Sequence, residues 1–190
     1  MSILPIFIPH AGCPHQCVFC NQKKISGQHS AALASAKEQL VRWRSWLQPS
    51  AANEAAFYGG SFTGLPLELQ EELLALTDAL LAEGFIGSVR LSTRPDYIDE
   101  ERLQLLQQHG VRLVELGVQS LDDRVLAAAE RGHTAAQVAL AVALLKRFGF
   151  QVGLQLMVGM PEQSRALPAC RKQCVRLSRC IPMWRASILY

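Results

Sequence analysis

The chain has 190 residues, 49% hydrophobic and 18% charged, which suits one soluble domain with a sizeable core. Its formal charge of +3 is uneven: residues 165–190 hold six Lys/Arg and no acid, which leaves 13 basic and 16 acidic residues, a net −3, in the rest, so charge does not establish a nucleic-acid partner. The longest apolar run, residues 138–145, is too short to span a membrane, and residues 1–8 lack the basic start and length of a secretory signal, so the expected location is cytoplasmic with no membrane partner.

Short apolar or β-branched runs alternate with longer helical patterns, the signature of repeated β–α units. The pattern predicts strands near residues 3–8, 55–58, 88–92, 113–117 and 152–158. Leu69, Leu73, Leu76 and Leu80 recur at helical spacing after Pro66 and stop before Gly84, which predicts a helix with one stripe on the sheet and a left-handed glycine stop. Ser120 with Asp123, and Thr134 with Gln137, each fit an N-terminal capping box. The second box opens a helix that ends at Gly149 and whose Val138, Ala141, Val142 and Leu145 face reads as sheet-packing core. Strands joined through helices run parallel, so their C-termini share one edge, where the loops of such folds build sites. The residues themselves support an α/β fold with about five β–α units.

Cys13, Cys17 and Cys20 form C-x3-C-x2-C among the turn formers Pro14, Asn21 and Gly27. A complete iron–sulfur site wants four ligands; three thiolates leave one iron open to a small molecule, which points to chemistry rather than a structural staple. Spacing alone leaves two other readings open: chance, and a zinc site completed by His10, His15 or His29, which would make the chain a non-catalytic interaction module. A disulfide framework is not expected, because cytosolic thiols are kept reduced.

The cysteine loop, with an aromatic before its last cysteine in Cys17-Val18-Phe19-Cys20, resembles the cluster loop of the radical S-adenosylmethionine (radical SAM) enzymes. Phe57-Tyr58-Gly59-Gly60-Ser61-Phe62-Thr63, Leu91-Ser92-Thr93-Arg94-Pro95-Asp96-Tyr97, Glu115-Leu116-Gly117-Val118-Gln119-Ser120 and Gly159-Met160-Pro161 follow in the order found in the branch of Elp3-like proteins and oxygen-independent coproporphyrinogen oxidases. The resemblance covers about residues 3 to 164. It implies a partial (β/α)6-type barrel, a 4Fe-4S cluster on Cys13, Cys17 and Cys20, and S-adenosylmethionine on the open iron. It further implies reductive cleavage of S-adenosylmethionine to a 5′-deoxyadenosyl radical, chemistry that no side chain supplies.

The resemblance also assigns roles by position. Phe19 would meet the adenine, with ordinary loop packing as the alternative. Gly59, Gly60 and Ser61 would receive the methionyl ammonium on exposed backbone, where a side chain would block close approach. Ser92, Gln119, Arg131 and Gln155 fall at polar contacts to S-adenosylmethionine. Arg131 reads equally as a carboxylate partner or as a solvated helix-end arginine. Ser92 stands where the coproporphyrinogen oxidases have glutamate, Gln155 replaces an acid, and Phe7 replaces a tyrosine. Glu115 faces either the barrel interior or solvent, His109 and His133 read as capping or surface residues, and no residue is assigned a catalytic role.

The implied partners are an electron donor such as flavodoxin or ferredoxin, and a substrate that the motifs do not name. The Elp3 relationship raises tRNA, which the acidic body does not favour. The expected organisation is a core over residues 1–164 and a basic tail over 165–190, read as a truncated or frame-shifted end with neither helix nor strand. Cys170, Cys174 and Cys180 in that tail match no common metal site. A barrel lacking a stave would leave its last sheet edge open to aggregation.

Overall fold

A computed structural model describes residues 2–8, 13, 15–20, 29–163 and 185–188. Six parallel strands lie side by side in chain order: β1 (Ile3–Phe7), β2 (Glu54–Tyr58), β3 (Ser88–Thr93), β4 (Val111–Gln119), β5 (Gln151–Leu156) and β6 (Arg185–Ile188). Between them run α1 (His29–Trp46), α2 (Leu67–Ala82), α3 (Glu100–Gln108), α4 (Asp123–Ala128) and α5 (Ala135–Arg147), with 3-10 turns at Phe62–Gly64 and Pro95–Tyr97. This sequential order is that of barrel staves, and β1 and β6 are not paired with each other, so the barrel is partial.

The strand period of two separates two faces. Leu4, Ile6, Val89, Leu91, Val114, Leu116, Val118, Leu154 and Leu156 point to the helices. There they join Leu69, Leu73 and Leu80 of α2, Leu103 and Leu106 of α3, and the predicted Val138, Ala141, Val142 and Leu145 stripe of α5 in one core. Leu73, Leu103 and Leu145 are fully buried, each worth about 2 kcal/mol relative to exposure. The other face of the sheet carries polar or small residues in register: Ser92 opposite Glu115, Glu115 opposite Gly153, and Gly117 opposite Gln155.

Thr134 and Gln137 form the predicted capping box of α5, and Gly84 and Gly149 take the left-handed stops after α2 and α5. The Ser120 box does not form. Asp122 caps α4 instead, accepting from the Arg124 amide at 3.0 Å, while the Ser120 hydroxyl accepts from the Asp122 amide; the helix begins at Asp123, which puts Asp122 and not Ser120 at the cap position.

The two sheet edges are managed differently. Along β1, Gln39 of α1 accepts from the Phe7 amide at 2.8 Å and donates to the Phe7 carbonyl at 3.0 Å, Trp43 donates to the Pro5 carbonyl at 2.8 Å, and Pro5 has no amide hydrogen, so this edge is closed to another strand. Along β5, the expectation of a strandless tail is corrected: β6 pairs with it, Gly153 opposite Arg185 through Leu156 opposite Ile188, and covers that edge. Four residues with an arginine first carry too little periodicity to read as a strand; the open ladder of β5 supplies the partner. The rest of the tail, including its three cysteines, lies outside the described residues, as do Pro14, Asn21, Gly27, His10 and the side chain of His29.

Candidate functional site

At the C-terminal edge of the sheet lies a cavity of about 290 Å3. Cys13, Phe19 and Cys20 of the cysteine loop form one wall, and Gly59, Gly60 and Ser61 after β2 form the next. The ends of β3, β4 and β5 contribute Ser92, Gly117, Gln119 and Gln155, while Arg94 and Arg131 close the remaining side. Cys17 sits behind the cavity, 4% exposed. The site residues expected from the sequence, scattered over more than 140 positions, are thus gathered at one place.

The glycine loop is fastened from below. Gly59 has φ +107°, and a Cβ there would lie 2.3 Å from the Ile8 carbonyl oxygen and 2.8 Å from the Phe7 ring. Glycine is therefore demanded by β1, a reason different from the expected approach of a ligand. The Ser61 hydroxyl is itself buried, 3.0 Å from the Thr93 hydroxyl, and accepts from the Arg94 amide. Thr63 adds a 2.5 Å hydroxyl contact to Thr93, Arg102 donates to the Thr63 carbonyl at 2.7 Å, and Gln70 donates to the Leu65 carbonyl at 2.7 Å. With its side chains engaged inward, the loop offers backbone to the cavity.

Arg131 is buried, which excludes the solvated helix-end reading. One terminal nitrogen donates to the Gly117 carbonyl at 2.6 Å, the other to the Cys17 sulfur at 3.6 Å, and Nε has no partner among the described residues. Its carbonyl accepts from Arg94 at 2.6 Å, and Arg94 is held by both carboxylate oxygens of Asp96. Burial opposes the Arg94 charge, but Asp96 and the nearby Cys13 and Cys17 outweigh it and raise its pKa. His15 of the cysteine loop stands 3.7 Å from Asp96 and packs on Gly132, where a Cβ would fall 2.2 Å from its ring. The Val18 amide donates to the Ala129 carbonyl at 3.2 Å, so the loop is docked along residues 129–132.

Two histidine readings divide. His109 caps α3, as expected, and pairs with Asp78 at 2.9 Å. His133 is not at the surface: it is 4% exposed, donates from Nε2 to the Val118 carbonyl at 3.3 Å, and leaves Nδ1 without a partner among the described residues. Burial, followed by repulsion from Arg131 and Arg94, lowers its pKa to about 4.

Glu115 faces the barrel interior. It pairs with Arg90 and accepts from the Ser92 hydroxyl at 3.0 Å, and Arg90 also reaches Glu54 at 3.3 Å. Tyr58, beside this group, has its pKa raised first by burial and then by Glu115. Gln119 holds φ 65°, in the left-handed region, where the β4 ladder bulges between Gly117 and Gln119. Strain of this kind persists where surrounding structure over-determines it, here through the Met157 amide donating to the Gln119 carbonyl at 2.9 Å.

The family model described as the radical SAM superfamily matches residues 7–167. The chain belongs to the radical SAM superfamily. This radical SAM chain is 25% identical to a tRNA uridine(34) acetyltransferase of Methanocaldococcus infernus, over 86% of its own length and 38% of the relative's. It is 27% identical to the heme chaperone HemW of Bacillus subtilis, over 80% of its length and 41% of the relative's. Its fold matches archaeal Elp3 of Methanocaldococcus infernus lacking residues 1–46, with TM-score 0.71 at 20% identity, covering 99% of this chain and 45% of that one. The chain spans less than half the length of each of these proteins. Among the described residues, no helix is long and apolar enough to cross a membrane.

The family's cofactors fit the residues present. Three thiols come from one loop, one buried against a guanidinium, and two buried arginines keep N–H groups that have no partner among the described residues beside a cavity of small-molecule size. Among the described residues, no group of three Cys, His, Asp or Glu side chains is gathered as a single metal ion requires. Thr93 and Arg94, which line the cavity, and Thr63 and Asp96, which contact them, are residues to which the sequence reading gave no role. Their only signal was membership of the glycine and Ser-Thr-Arg-Pro-Asp runs.

Proposed function

We propose that this chain is the core of an enzyme in which Cys13, Cys17 and Cys20 hold a 4Fe-4S cluster and the adjoining cavity binds S-adenosylmethionine. The observation that supports this best is Arg131, a buried guanidinium that touches both a cysteine of the loop and the strand that lines the cavity. When bound together, the two cofactors supply reductive carbon–sulfur bond cleavage and a carbon radical able to abstract hydrogen.

The chain's own groups bind and orient. Arg131 presents fork donors to a carboxylate, and the Gly59–Gly60–Ser61 backbone receives an ammonium. Phe19, 37% exposed at the rim, offers a ring face to adenine. Ser92, whose hydrogen is committed to Glu115, is left with acceptor capacity, while Gln119 and Gln155 offer both donors and acceptors to ribose hydroxyls. Phe7, Ile8 and the Phe57–Phe62 pair keep the floor of the glycine loop apolar. A flavodoxin- or ferredoxin-type donor would supply the electron. The likeness to a tRNA-acting relative makes tRNA the first substrate to offer.

Anaerobic reconstitution with iron and sulfide tests this reading. Visible absorption typical of an iron–sulfur protein, with an EPR signal of the reduced protein that changes on adding S-adenosylmethionine, is the expected result; formation of 5′-deoxyadenosine is the next assay. A colourless protein holding one equivalent of zinc would overturn it.

A further inference from the structure

Arg94 is 2% exposed, yet it belongs to no strand or helix and is not among the residues expected to touch either cofactor. A guanidinium has five N–H donors in a planar fork. Here Nε and one hydrogen on Nη2 serve Asp96, at 2.9 and 2.8 Å, and Nη2 also serves the Arg131 carbonyl at 2.6 Å. Both hydrogens on Nη1 are buried without a partner among the described residues, in a side chain that lines the cavity beside Cys13 and Arg131. Burying such donors unmet is costly, so an acceptor is called for at this wall of the cavity.

The same residue joins the separate walls of the site. Its backbone amide donates to Ser61 of the glycine loop, its Asp96 partner faces His15 of the cysteine loop, and its fork holds the backbone of Arg131, which touches Cys17 and Gly117.

Resting on the cofactor reading above, we propose that Arg94 is a positioning residue: clamped by Asp96, it fixes Arg131 and turns its free edge, Nη1, toward the anionic cluster and carboxylate-bearing ligand held between the cysteine loop and β4. Two consequences separate. The positive charge favours the reduced, more negative state of the cluster, and the fork geometry sets ligand affinity through Arg131.

The test uses reconstituted full chain as wild type, Arg94→Gln, Arg94→Lys and Asp96→Asn, with EPR-monitored redox titration, S-adenosylmethionine binding by calorimetry and thermal unfolding. Arg94→Gln is expected to make the cluster potential more negative and to weaken S-adenosylmethionine binding on the order of tenfold or more. Arg94→Lys is expected to restore the potential but not the affinity, because it keeps the charge and loses the fork. Asp96→Asn, which leaves Arg94 in place, should show a smaller loss of affinity and keeps the test open if both Arg94 variants fail to fold. Variants with wild-type potential and affinity, or an Arg94→Lys protein that recovers both or neither, would overturn the assignment. A wild-type protein that takes up no cluster would instead overturn the cofactor reading beneath it.

Discussion

Arg131 holds one terminal nitrogen 3.6 Å from the sulfur of Cys17, 114 positions away in the chain, and the other 2.6 Å from the Gly117 carbonyl, 14 positions away. Removing it strips a charged donor from a buried carbonyl and from the cysteine loop together. Arg131→Ala should lower stability by about 1–3 kcal/mol. It should weaken S-adenosylmethionine binding at least about tenfold. Denaturant unfolding and calorimetry measure the two effects, and a variant with unchanged affinity would remove Arg131 from the ligand site.

Gly59 and Gly84 both hold positive φ, but their surroundings differ. Beyond Gly84 nothing lies within 4 Å of an added Cβ, so Gly84→Ala should cost only the left-handed penalty, roughly 1–2 kcal/mol. At Gly59 the same methyl meets the Ile8 carbonyl at 2.3 Å, so Gly59→Ala should lose clearly more and displace β1. Comparison of the two urea midpoints decides the matter; equal losses would mean that the β1–β2 approach is less tight than described.

His133 gives folding a pH dependence with a definite sign. Burial keeps the folded imidazole neutral down to about pH 4, while in the unfolded chain it takes a proton near its ordinary 6.5. Above pH 6.5 both states are neutral and this contribution is flat. As pH falls from 6.5 toward 4 only the unfolded state gains the proton, so up to about 3 kcal/mol of stability is lost over that window. His133→Gln, which can still donate to the Val118 carbonyl, should lose less stability between pH 7 and pH 4.5 than the wild type in equilibrium unfolding.

Glu54, Arg90 and Glu115 form a partly buried cluster with two carboxylates on one guanidinium. Arg90→Met would leave both carboxylates facing each other across the sheet, and a loss of about 3 kcal/mol is expected. Adding Glu115→Gln should recover much of it. A double-mutant cycle in denaturant gives the coupling energy, and an additive result would show that the two side chains do not interact in solution.

The sequence by itself determined the fold class, the parallel direction of the strands and the edge of the sheet at which the candidate site lies. Those follow from local signals: apolar periods of two and 3.6, glycine stops after α2 and α5, and short motifs at strand ends that parallel connections must bring to one edge. Tertiary structure alone decided which polar side chains face inward and whom they meet. Arg131 reads locally as a helix-end residue, His133 as a surface residue and Glu115 as either-facing, yet all three are buried by partners 14 to 114 positions or a strand away. Asp122 rather than Ser120 caps α4, and β6 forms on β5, for the same reason: whether a donor, acceptor or strand edge is used depends on what long-range packing sets opposite it, and no local pattern encodes that partner.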